Sequence, residues 1–82
     1  MRVERYRFHC TDGEHVIVDQ AGRPLAGPGE VYAAAESTAL ALMASCGGGL
    51  DWSGWLVDVH DVRGRRALLL GFRDVRGARR AA

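Results

Sequence analysis

Lysine and asparagine are both missing from this 82-residue chain, and all eleven of its basic residues are arginine. Without Lys there is no Gly-x-x-x-x-Gly-Lys-Ser/Thr loop, so the Asp-x-x-Gly phrases discussed below are not those of a GTP-hydrolysing protein. Net charge is nearly absent as well. The formal value is +1, whereas a surface built to hold nucleic acid shows a large basic surplus. Cysteine is limited to Cys10 and Cys46, with no Cys-x-x-Cys pair, and two thiols are too few to cage zinc. The longest apolar run is Leu68-Leu69-Leu70 with its neighbours, far short of the roughly 18 residues of a membrane span. The opening Met1-Arg2-Val3-Glu4-Arg5 lacks the apolar stretch of an export signal. A cytoplasmic protein with reduced thiols and no membrane contact is the expectation. A chain this short buries only about 60% of the surface its unfolded form exposes. One domain with one core is therefore expected, helped by self-association rather than by a disulfide, metal or cofactor.

What the chain does have is turn chemistry. Asp-x-x-Gly occurs as Asp19-Gln20-Ala21-Gly22, Asp61-Val62-Arg63-Gly64 and Asp74-Val75-Arg76-Gly77. Asp at the first position bonds the backbone ahead of it, and Gly at the fourth accepts the left-handed conformation of a bulged hairpin. Arg5-Tyr6-Arg7-Phe8-His9-Cys10 alternates with period two, placing Tyr6, Phe8 and Cys10 on one side. Asp12-Gly13 turns the chain into a second strand over residues 15–19, whose three β-branched residues leave its buried face undecided. Pro24, Gly27, Pro28 and Gly29 read as a loop over residues 23–29. The Ala-rich stretch 30–46 reads as a helix with Val31, Ala35, Ala39, Leu42 and Cys46 in one stripe, stopped by Gly47-Gly48-Gly49. Residues 50–54 read as a linker. Trp55, Val57 and Val59 mark the inner parity of a third strand; Leu68, Leu70 and Phe72 mark that of a fourth. The expectation is a two-layer α+β domain over residues 1–74, ββαββ, with a four-stranded antiparallel sheet backed by one helix. An Arg- and Ala-rich tail over 75–82 is expected to fray.

Arg5-Tyr6-Arg7-Phe8-His9, Asp12-Gly13, Asp19 to Gly22, Ser53-Gly54-Trp55, Val59-His60-Asp61, Gly64-Arg65 and Phe72 stand in a fixed order around the helix. In that order the chain resembles a family of short bacterial proteins of unknown function, over about residues 5–74. The resemblance implies the fold and brings no activity with it. Two departures stand out. Arg7 occupies a place where the pattern favours an aromatic, and Glu36 alone carries charge between Val31 and Cys46. The opposite helix face, Ala33, Ser37, Leu40, Ala41 and Ala44, is either a bland solvated surface or a place where a second copy approaches closely.

The candidate binding residues are Arg5, Arg7, His9, Asp58 and His60, which share the outer face if the two hairpins lie side by side. They can grip an anionic ligand or a partner, or simply be the polar side of a half-covered sheet. His9, Asp58 and His60 lack a spaced metal motif, and no metal site is expected. Gly27-Pro28-Gly29 precedes the helix and reads as a plain loop more readily than an anion cradle. Cys10 and Cys46 are expected as small buried hydrophobes. Trp55 is expected in the core, with Trp52 an anchor for a partner or a cover over the sheet edge. No Ser-His-Asp or Cys-His arrangement is present, so no catalytic residue is assigned and no enzyme is expected. The function expected is a small cytosolic interaction module, homodimeric or bound to another protein. The alternative is a nucleic-acid-associated accessory protein using Arg5, Arg7 and the arginines of the tail.

Overall fold

The computed structural model describes residues 2–46 and 49–75. Strand β1, Glu4–Thr11, lies at the centre of an antiparallel sheet. It is followed by β2, Val16–Ile17, and β3, Arg23–Leu25. Helix α1, Pro28–Ser45, crosses one face, and β4, Leu56–His60, and β5, Arg66–Gly71, complete the sheet. A 3-10 turn at Phe72–Asp74 follows β5 and leads to Val75, the last described residue. β4 lies between β1 and β5, while β2 and β3 both pair with the other side of β1.

The expected four strands are thus five, because the segment read as a loop contains β3. The expected second strand shrinks to Val16 and Ile17, opposite Thr11 and Cys10. Pairing resumes at Arg23, opposite Tyr6, and runs to Leu25, opposite Glu4. Between them residues 18–22 face residues 7–9, so the edge carries two more residues than β1 can pair. Pro24 is tolerated because β3 is an edge strand, where a missing N–H can face solvent. The surplus is held by Asp19. Its Oδ2 accepts the Phe8 N–H at 3.1 Å and its Oδ1 the Gly22 N–H at 3.0 Å. A side chain therefore replaces the ladder where the ladder breaks.

The other Asp-Gly signals form the turns expected. Asp12 Oδ1 accepts the N–H groups of Glu14 and His15, and Gly13 takes φ 96°. Asp61 Oδ1 accepts those of Arg63 and Arg65, and Gly64 takes φ 80° between β4 and β5. The third phrase begins in the 3-10 turn; its last two residues lie outside the described chain. Val75, read as the first residue of the tail, is 2% exposed and belongs to the core. The frayed remainder expected over 76–82 lies outside the described residues.

The helix starts two residues earlier than expected. Pro28 sits in the first turn, where its missing N–H costs nothing, and Glu30 reaches back to accept the Ala26 N–H at 3.1 Å. Val31, Ala34, Ala35 and Ala39 form its buried side, and small side chains bring the helix close to Phe8, Val57 and Val59. Cys10 is buried as expected, but Cys46 is exposed, because it caps the helix past its last packed turn. Gly47 and Gly48, part of the expected stop, lie outside the described residues. Trp52 is half-buried: its ring stacks on Phe72 at 5.5 Å and meets Trp55 edge-on at 5.3 Å. Trp55 is itself half-buried beside the core.

Candidate functional site

The outer sheet face is assembled from three cross-strand pairs. His9 stands opposite Asp58, Arg7 opposite His60, and His60 opposite Arg66. Four of the five candidate residues are therefore brought together. The fifth, Arg5, lies further along β1 opposite Pro24, with its guanidinium donating to the Ala21 carbonyl at 2.9 Å. That bond ties β1 to the interrupted edge and removes Arg5 from the cluster.

Asp58 is the hub. Arg66 donates to it through Nε at 2.9 Å and through a second guanidinium nitrogen at 3.2 Å, the paired geometry arginine favours with a carboxylate. His60 Nε2 lies 2.9 Å from the same carboxylate, and His60 Nδ1 lies 3.0 Å from the Gly64 carbonyl oxygen. The imidazole is thus fixed from both sides, between the strand and its turn. The bonds from Arg66 hold the Asp58 carboxyl below its ordinary range against partial burial, with the charges of His60 and Arg66 adding to the effect. Arg66 is more than half exposed, so solvent screens much of this attraction.

His9 is engaged differently. Its Nδ1 accepts the Asp19 N–H at 3.0 Å, so the ring helps fix the same edge break that the Asp19 carboxylate bridges. Burial raises the Asp19 pKa, but bonds from the Gly22, Phe8 and Ala21 N–H groups outweigh it and leave the carboxyl below its usual range. The His9 and His60 rings are neighbours, with centroids 5.7 Å apart. Among the described residues no three His, Cys, Asp or Glu side chains group to hold a metal ion. Arg7 is exposed, and among the described residues its guanidinium has no hydrogen-bond or ion-pair partner.

Arg66 and Asp19 were not among the expected site residues. Alternation from Leu68 and Leu70 places Arg66 on the inner side; a bulge between Val59 and His60 pairs it with His60 and turns it outward. The only hint in the sequence is a charge at an apolar parity. Asp19 was legible as a turn residue, not as the bridge between strand and edge.

On the opposite face an open groove of about 400 Å³ lies between the helix start and the β4–β5 end of the sheet, lined by Tyr6, Pro28, Val31, Tyr32, Ala67 and Leu68. At its rim partial burial pushes the Tyr6 hydroxyl up, and the nearby Glu4 carboxylate, 3.3 Å away, adds to the effect.

Fold and surface together define a small two-layer α+β domain with an internally paired polar face. The chain belongs to the family described as Domain of unknown function (DUF6894), which matches residues 5–73. No curated protein and no solved structure matches it.

Proposed function

We propose that this protein is a cytosolic, non-enzymatic interaction module that self-associates. The observation that carries the reading is the set of apolar side chains left at the sheet edges. Val16, Ile17 and Val18 project along one edge, and Leu69 lies on the other, each about half exposed or more. Apolar side chains placed along sheet edges are suited to contact with another polypeptide. The polar face fits the same role. Its carboxylate hub is already paired, so it presents a preformed pattern in which the unpaired Arg7 supplies the free charge for an acidic group on a partner. Among the described residues no helix is long and apolar enough to cross a membrane.

Sedimentation of the purified full chain over a micromolar concentration series tests the proposal. A reversible monomer–dimer equilibrium is expected, and a strict monomer throughout overturns it. The free guanidinium of Arg7 also supports the rival reading, an accessory protein that touches nucleic acid through Arg5, Arg7 and the C-terminal arginines. That reading requires a mobility shift with DNA or RNA at low salt that is lost as salt rises.

A further inference from the structure

The two imidazoles of the polar face meet opposite hydrogen-bonding demands. His9 Nδ1 lies 3.0 Å from the backbone nitrogen of Asp19, which can only donate, so this ring nitrogen accepts and carries no proton. The ring proton is therefore on Nε2. His60 faces the reverse. Its Nε2 lies 2.9 Å from the Asp58 carboxylate and its Nδ1 3.0 Å from the Gly64 carbonyl oxygen, and both partners accept. A neutral imidazole serves one of them; a charged ring serves both. Proton uptake thus completes the bonds of His60 and breaks the one that His9 makes.

We propose that His9 is a proton-operated latch on the interrupted sheet edge. Neutral, it holds the Asp19 N–H; protonated, it releases that N–H, and the edge backbone at Asp19 opens to solvent. The position gives the bond its leverage. Pairing with β1 stops at Ile17 and resumes at Arg23. Between them the edge is held to β1 by three side-chain bonds: Asp19 Oδ2 on the Phe8 N–H, Arg5 on the Ala21 carbonyl, and His9 on the Asp19 N–H. Near neutral pH arginine stays charged and aspartate ionised, so the imidazole is the member of this set that can switch.

The charged groups that face His9 shape the response. Asp58 stands opposite it on β4, with Arg66 of β5 held on that carboxylate. The His60 ring lies 5.7 Å away, and Arg7 is two residues along β1. A proton on His9 meets repulsion from Arg7 and from a charged His60, and attraction from the Asp19 carboxylate. The protonated ring therefore turns from the N–H of Asp19 toward its carboxylate. One hydrogen bond is exchanged for one ion pair, so the opening is local and overall stability stays near level.

Magnetic resonance of the full chain between about pH 8 and about pH 5, the range in which imidazoles take up a proton, tests the latch. At the upper pH the ring-nitrogen resonances of His9 should show the Nε2–H tautomer. Protection of the Asp19 amide from hydrogen exchange, corrected for its intrinsic rate, should fall at least about fivefold toward the lower pH, the worth of one hydrogen bond. The amides of β4 should keep theirs. His9→Asn places an uncharged acceptor near the position of Nδ1, and its Asp19 amide should stay protected throughout. His60→Gln should retain the wild-type fall. An Nδ1–H tautomer of His9, or an Asp19 amide whose protection does not change with pH, overturns the latch in the wild-type chain alone. A fall that survives in His9→Asn, or one that disappears in His60→Gln, overturns it equally by placing the decisive proton elsewhere.

Discussion

Gly22 stands where two constraints meet. Its φ of 73° lies in the left-handed region, and a Cβ there would sit 2.9 Å from the Tyr6 carbonyl oxygen. Gly64 has a similar φ of 80° but open space around the same point. Gly64→Ala is therefore expected to cost about 1 kcal/mol, from backbone strain alone. Gly22→Ala should cost about 2–4 kcal/mol, because it must also push β1 away from the edge. Urea denaturation of the two variants gives the comparison, and equal losses would show that the close approach relaxes freely. The aspartates make a second argument at this scale. Backbone N–H groups of His15 and Glu14 hold the Asp12 pKa down at about 2, and Asp19, Asp58 and Asp61 are also lowered from 3.8. A carboxyl lowered on folding stabilises the fold fully above its unfolded pKa, and the contribution is lost as pH falls through the folded value. The urea midpoint should be level above about pH 5 and fall between about pH 4 and pH 2, with Asp12→Asn reducing the lower part of the fall. Cys10 acts at the other end: burial, then the Asp19 charge, raises its pKa from 9.0 to about 11, so its contribution is lost as pH rises through that interval.

At the scale of elements, the helix depends on smallness more than on apolar bulk. Ala35 and Ala39 are completely buried, so the distance between helix and sheet is set by methyl groups. Ala39→Leu is expected to destabilise by about 1–3 kcal/mol through overpacking against β4 and β1. Ala41→Leu, on the exposed side, should change stability by no more than about 0.5 kcal/mol. Thermal or urea denaturation separates the two, and a neutral Ala39→Leu would mean that the layers part without cost. The strands divide in the same way by what covers them. The inner parity of β1 and β4 was readable because Phe8, Cys10, Val57 and Val59 alternate with polar residues. β2 was not readable: Val16, Ile17 and Val18 have no alternation, and the helix packs chiefly on β4, β1 and β5. β3 was hidden by Pro24, since local preference for a loop carries no information about a free strand edge waiting to be paired.

For the molecule as a whole, the small core and the proposed self-association bear on the same measurement. If two copies associate, association stabilises the folded state by mass action, and the thermal midpoint rises with protein concentration. Calorimetry on the full chain over a hundredfold concentration range is the check, and a constant midpoint counts against a folded-state dimer. The polar face makes its own whole-molecule point. Its residues come from β1, β4 and β5, and their value depends on which strand lies between the others. Placing β4 next to β1 joins His9, Asp58 and His60, and a single bulge adds Arg66.

By itself, the sequence determined the α+β class, the one Ala-rich helix, the hairpin turns at Asp12-Gly13 and Asp61 to Gly64, and most of the apolar core. These follow from local rules: period two, period 3.6, and the few residues that accept a left-handed turn. Only the tertiary structure decided the fifth strand at the sheet edge, the role of Asp19 as a bridge, the removal of Arg5 from the cluster and the entry of Arg66. It also placed Trp52 on Phe72 and Val75 in the core. Each of these depends on a neighbour distant in the chain, and the resulting register is a property of the whole sheet, which no segment carries alone.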